Sequence, residues 1–214
     1  MRYNTLLFDL DGTLLDTLQD LHASVNYVLR KHHFPLRTLD EVRNFVGNGA
    51  RRLMLLAVPN AEADPNFETY MADFNAYYPL HCNDRTTPYP GLLPVLQQLK
   101  QSGRQMAVIS NKPNYGVQAL TRLYFADLMS TAIGESAGIR RKPAPDTVLQ
   151  AISALGADPS GCVYIGDSDV DIETARNAGL PCISVTWGFR SRAFLLEHGA
   201  TCCIDRPQEL LQLV

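Results

Sequence analysis

The 214-residue chain lacks any apolar run near the roughly 18 residues that a membrane-spanning helix needs. The run Leu6-Leu7-Phe8 is cut by Asp9 and Asp11, so no signal-peptide apolar region forms. An excess of one charge is missing too. Lys and Arg number 19 against 22 Asp and Glu, a formal net charge of −3. That leaves neither the basic stripe of a nucleic-acid binder nor a polybasic membrane patch. Only Arg51-Arg52 and Arg140-Arg141-Lys142 cluster. Repeats and low-complexity segments are absent. The five cysteines (Cys82, Cys162, Cys182, Cys202, Cys203) are odd in number and contain no C-x-x-C. This argues against a disulfide framework or a zinc site, and for reduced thiols in a cytoplasmic protein. What is present is an ordinary apolar share of 46%, in a length that suits one large domain or one with an inserted second.

The organisation follows from hydrophobic period. Thr5 to Leu10 reads as a buried strand. Leu18, Leu21, Val25, Val28 and Leu29 then fall at helical spacing, with Asp16 or Thr17 as N-cap. Further helices are expected at Leu39–Val46, Arg51–Ala57 and Phe67–His81. From Tyr89 the pattern changes. Apolar strands at 106–109, 128–133, 163–165 and 182–185 alternate with helical stretches, the mark of a parallel sheet covered on both faces. The expected fold is α/β: a doubly wound, Rossmann-like core formed by residues 1–14 and 84–214, with a small all-helical insertion, 15–83.

Polar residues sit where such a sheet binds its ligands, at the carboxyl ends of strands. Asp9 follows Leu6-Leu7-Phe8, Ser110 follows Ala107-Val108-Ile109, and Asp167 follows Val163-Tyr164-Ile165-Gly166. Asp9 and Asp11, two apart on an extended segment, point the same way. Paired carboxylates repel unless a cation intervenes, and Mg²⁺ favours one or two carboxylates plus phosphate oxygens. A hairpin turn at Asp11-Gly12 is the alternative, but the helical run from Leu18 leaves no returning strand. In Gly166-Asp167-Ser168-Asp169-Val170-Asp171 an EF-hand loop is excluded by Ile172 and Ala178. Helix capping by Asp169 is sound, but does not explain Asp167 and Asp171 beside it. Lys142, between Arg141 and Pro143, is either a solvated lysine or a cation on a rigid loop.

Together these residues resemble the haloacid dehalogenase-like phosphohydrolase superfamily. Asp9-Leu10-Asp11-Gly12-Thr13 matches its first motif, Ser110 the second, Lys142 the third, and Gly166-Asp167 with Asp171 the fourth. Within it, Val46-Gly47-Asn48-Gly49-Ala50, Ser110-Asn111-Lys112-Pro113 and Thr186-Trp187-Gly188-Phe189 resemble the phosphoglycolate phosphatase group. The resemblance implies a cap after the first motif and an aspartyl-phosphate on Asp9. Asp11 would be general acid and base, with Ser110 and Lys142 holding the phosphoryl group. It implies Mg²⁺ on Asp9, Asp11 and Asp167, with Asp171 orienting Lys142 or metal-bound water. Gly12, Thr13 and Asn111 would line the phosphate. In the cap loop, Gly49, Arg51 and Arg52 would read the leaving group. Each arginine has a second reading, a solvated residue in a helix's first turn. The implied partner is a small phosphorylated metabolite, 2-phosphoglycolate first, for a monomer or homodimer.

Three functions compete: a Mg²⁺-dependent phosphatase (a pyrophosphatase among its variants), a beta-phosphoglucomutase-like mutase, and a phospho-accepting switch. A switch needs neither a proton shuttle at Asp11 nor a lid. A dehalogenase needs no acidic metal cluster.

Overall fold

The computed structural model describes residues 3–214. In chain order the first elements are β1 (Thr5–Phe8), β2 (Leu15–Asp16), α1 (Leu18–Lys31), α2 (Leu39–Phe45), α3 (Gly49–Ala57), α4 (Phe67–His81) and β3 (Thr87–Pro88). There follow α5 (Leu92–Gln101), β4 (Gln105–Pro113), α6 (Asn114–Phe125), β5 (Thr131–Glu135), α7 (Asp146–Leu155) and β6 (Cys162–Gly166). The chain ends with α8 (Asp169–Asn177), β7 (Cys182–Val185), α9 (Arg192–Glu197), β8 (Cys203–Ile204) and α10 (Leu210–Leu213). It forms two compact units: one holds the N-terminal residues through Leu15 and Pro88–Val214, the other Asp16–Thr87.

The first unit is a six-stranded sheet ordered β5-β4-β1-β6-β7-β8, parallel at every pairing. Strand alternation divides its core in two. Leu6, Phe8, Met106, Val108, Val163 and Ile165 face the side covered by Leu92, Leu96, Val117 and Leu120 of α5 and α6. Leu7, Ala107, Ile109, Cys162 and Tyr164 face Val148, Ala151 and Ile152 of α7 and Ala175 of α8. Strands buried on both faces read as unbroken apolar runs, which is why they were legible. β1 is central, and the chain reaches β4 on one side of it and β6 on the other. That strand-order reversal opens a crevice at the carboxyl ends.

Three details depart from the sequence expectations. β4 does not stop at Ser110 but runs on to Pro113, with an irregular register after Ile109. β5 starts at Thr131, because the amides of Leu128 and Met129 bond back to the Phe125 carbonyl at 2.9 and 3.0 Å in the turn after α6. The last segments, α9, β8 and α10, were not anticipated: strands and helices of two to six residues are too short to display a period.

The second unit is helical, with α1 packed on α4 and α2. Tyr27 and Tyr77 stack across α1 and α4 at 3.8 Å. Thr38 and Glu41 form a capping box that starts α2. Residues 84–87, which the sequence assigned to the α/β part, stay with this unit. The buried Asp20 carboxylate accepts from the Arg85 amide, the Thr86 amide at 2.9 Å and the Thr86 hydroxyl at 2.7 Å. No helix among the described residues is long and apolar enough to cross a membrane.

Candidate active site

The acidic cluster assembles from strand ends. The Asp9 amide bonds the Ile165 carbonyl of β6 at 2.9 Å, which fixes Asp9 beside the start of the Gly166-Asp167 segment. Asp9, Asp167 and Asp171 are buried, and each offers a carboxylate oxygen within 4.8 Å of the others. Close backbone makes room for them. Gly12 has φ +90°, and a Cβ there would run into the Asp167 carboxylate; a Cβ on Gly188 would meet Asp167 and the Gly12 carbonyl. Gly12→Ala is therefore expected to cost about 1–3 kcal/mol from the left-handed backbone alone. Pushing Asp167 aside should also depress turnover. A variant with wild-type melting and kinetics would show that the loop has slack.

Each acid has its own partners. Asp9 Oδ1 lies 2.8 Å from the Lys142 ammonium. Asp171 Oδ1 also takes Lys142, at 2.8 Å, and the Tyr164 hydroxyl at 3.1 Å. Its Oδ2 is held by the Ser168 amide and hydroxyl at 3.1 and 2.6 Å. Asp167 accepts from the Thr13 hydroxyl at 3.1 Å and the Phe189 amide at 2.7 Å. Asp11, at the rim, pairs with Lys112 at 2.9 Å, and that lysine is as buried as Lys142.

Burial governs the electrostatics. It pushes Asp9 well above the usual carboxylate range, and Asp171 and Asp167 add to this against the pull of Lys142. Asp167 is raised to about 7 by burial and Asp171, in spite of the Phe189 and Thr13 hydrogen bonds. Burial opposes charge on Lys142 as well, yet Asp171, Asp9 and Tyr164 together hold its ammonium well above the ordinary lysine value. One ammonium shared by two carboxylates, beside a third buried acid, makes a cluster rich in negative charge. An all-oxygen donor set of this kind suits a hard divalent ion.

The structure brings Asp9, Asp11, Ser110, Lys142, Asp167 and Asp171 to one sheet edge, but it gives some neighbours different work from that expected. Thr13 spends its hydroxyl on Asp167. Asn111 bonds both ends of its amide to the Lys142 backbone, at 3.0 and 2.8 Å, which pins the lysine loop onto β4. The helix cap is Ser168 with Asp171, not Asp169, which stands half-exposed 3.9 Å from Arg190. Gly49 opens α3 in the helical unit, putting Arg51 and Arg52 in its first turn. There Arg51 forks onto Glu68 at 2.6 and 3.1 Å, and Arg52 lies 3.7 Å from Glu62. Three residues were missed: Lys112, Tyr164 and Ser168. Lys112 lay in a segment noted for its resemblance, and Tyr164 read only as strand core.

A model described as haloacid dehalogenase-like hydrolase matches residues 6–185. The chain belongs to that family. A phosphoglycolate phosphatase of Rhodobacter capsulatus is 37% identical, over 91% of this chain and 90% of its own. An N-acetylmuramic acid 6-phosphate phosphatase of Pseudomonas aeruginosa is 33% identical, over 100% of this chain and 96% of its own. A crystal structure from Lactobacillus delbrueckii subsp. bulgaricus, provisionally named a phosphoglycolate phosphatase, superposes with a TM-score of 0.93 at 37% identity. It covers 100% of this chain and 98% of the other.

Proposed function

We propose that this hydrolase is a Mg²⁺-dependent phosphatase of small phosphomonoesters, with 2-phosphoglycolate the leading substrate. The observation that carries the reading is the buried Asp9 carboxylate held by Lys142 within the acidic cluster. Asp9 attacks phosphorus, the bond to the leaving oxygen breaks, and an aspartyl-phosphate forms. Asp11 gives the leaving oxygen its proton. It then takes a proton from the water that attacks phosphorus, releasing phosphate and restoring Asp9. Lys142 and the Ser110 hydroxyl hold the phosphoryl oxygens; the Lys112 amide donates to that hydroxyl oxygen at 3.1 Å and so orients it. Asp9, Asp167 and the main-chain carbonyl of Asp11 would hold Mg²⁺. When bound, the ion neutralises phosphoryl and carboxylate charge. Asp171 keeps Lys142 in place.

The helical unit acts as the cap in this reading and excludes water from the first step. Arg51 and Arg52 then read a second anionic group on the substrate. Arg51→Ala and Arg52→Ala should raise KM for 2-phosphoglycolate several-fold and leave kcat nearly unchanged, since that contact is the same in ground and transition states. Unchanged kinetics in both variants would make them surface residues. The exposed pairs with Glu68 and Glu62 contribute little to stability, so melting should barely move.

The Pseudomonas relative supports a second substrate, N-acetylmuramic acid 6-phosphate. The test is phosphate release with Mg²⁺ from a panel containing both compounds, pyrophosphate, glycerol phosphates, sugar phosphates and a nucleoside monophosphate. Preference for 2-phosphoglycolate supports the first reading, and preference for the amino-sugar phosphate supports the second. Release from none would overturn the phosphatase.

A further inference from the structure

We infer that Tyr164 is a positioning residue for phosphoryl transfer: its hydroxyl holds the Lys142 ammonium in line with Asp9 while bridging it to Asp171. This rests on the phosphatase reading and extends it to a residue in the strand core. Tyr164 lies on β6, on the sheet face covered by α7 and α8, with its ring fully buried among apolar side chains. Its hydroxyl emerges from that core into the ionic network. It accepts from Lys142 Nζ at 3.1 Å and donates to Asp171 Oδ1 at 3.1 Å. The hydroxyl's acceptor and donor roles are therefore both fixed, and the ring sets its height in the network.

The geometry assigns the hydroxyl a task the other contacts cannot perform. A lysine ammonium has three N–H bonds on a flexible four-carbon stem. Here it faces four acceptors: Asp9 at 2.8 Å, Asp171 at 2.8 Å, Tyr164 at 3.1 Å and the Ile109 carbonyl at 3.4 Å. When a phosphoryl oxygen arrives, Lys142 must turn one N–H towards it and give up an acceptor. The tyrosine hydroxyl alone among the four both accepts and donates. It accepts one N–H of Lys142 while its own O–H donates to Asp171, so cation and acid stay in register when Lys142 turns another N–H to the phosphoryl oxygen. Because the contact fixes the direction of the ammonium as charge develops on the transferring group, its loss falls on kcat.

Tyr164→Phe removes the oxygen and keeps the ring. With Mg²⁺ and an ester that the wild type hydrolyses, kcat should fall about tenfold while KM changes less than about twofold. Inhibition by orthovanadate, a mimic of the five-coordinate phosphoryl group, should weaken by a similar factor. In a Lys142→Met background, vanadate binding followed by thermal shift should no longer respond to Tyr164→Phe, because the two residues act as one unit. A purely structural role predicts lower melting with unchanged kcat and vanadate inhibition, and that result would overturn the proposal. So would an undiminished effect in the Lys142→Met background. Absence of wild-type activity on every ester would strike the phosphatase reading itself, before any variant is compared.

Discussion

Asp9→Asn should abolish turnover, by a factor of about 10³ or more, and leave the protein folded. Asparagine keeps the shape and the main-chain bond to Ile165 but cannot form an aspartyl-phosphate. The stability change carries more information than the lost activity. Asp9 is buried with Asp167 and Asp171, and burial together with those neighbours disfavours its charge. A neutral amide removes that repulsion, though it also gives up the pairing with Lys142. Without added metal, the melting temperature should hold or rise. A nucleophile sacrificed with no loss of fold is the pattern of a residue kept for chemistry at the expense of stability. Retention of more than a small fraction of activity would remove Asp9 from that role. A sharp fall in melting temperature would make it a structural acid.

The second large effect concerns the cation. Chelation should stop phosphate release, and Mg²⁺ should restore it. The acidic cluster adds a pH signature. Asp167 is raised from 3.8 to about 7 by burial and by Asp171. Between those values the native state keeps a proton that the unfolded chain has released. Stability of the metal-free protein therefore falls as pH rises through that window, and levels off above it. A cation needs the ionised acid, so it supplies most where the proton has left. The gain in melting temperature on adding MgCl₂ should be larger near pH 8 than near pH 5.5. An equal gain at both, or chelator-resistant turnover, would contradict a metal held by these acids.

Much of this was legible in the chain because the information is local. Asp9, Ser110 and Asp167 each follow a short apolar strand, and buried parallel strands have no polar alternation to confuse the reading. Four motifs in order pointed to residues that the fold gathers at one sheet edge. What stayed hidden is contact across the sheet. No spacing rule links Tyr164 to Lys142, since two residues 22 apart meet only when β6 stands beside β1 and the Lys142 loop is tied to β4 by Asn111. Tyr164 also has a strand residue's burial, and its oxygen is one atom on an otherwise apolar ring. Lys112 was hidden for a related reason. The strand was expected to end at Ser110, whereas β4 continues and carries the lysine back to Asp11. Thr13 was placed by its motif, but the acid it serves became clear only from the fold.

The central claim is that Asp9 carries the phosphoryl group and Asp11 moves the protons. It is tested most directly by Asp11→Asn reacting with p-nitrophenyl phosphate in the presence of Mg²⁺. This leaving group departs without a proton, so the first step survives the substitution, whereas hydrolysis of the aspartyl-phosphate loses its base. A rapid burst of one p-nitrophenolate per protein should appear, followed by slow release. Acid quenching and peptide mapping should then find the phosphoryl group on Asp9. Steady release with no burst, or a phosphoryl group on any other residue, would contradict the mechanism.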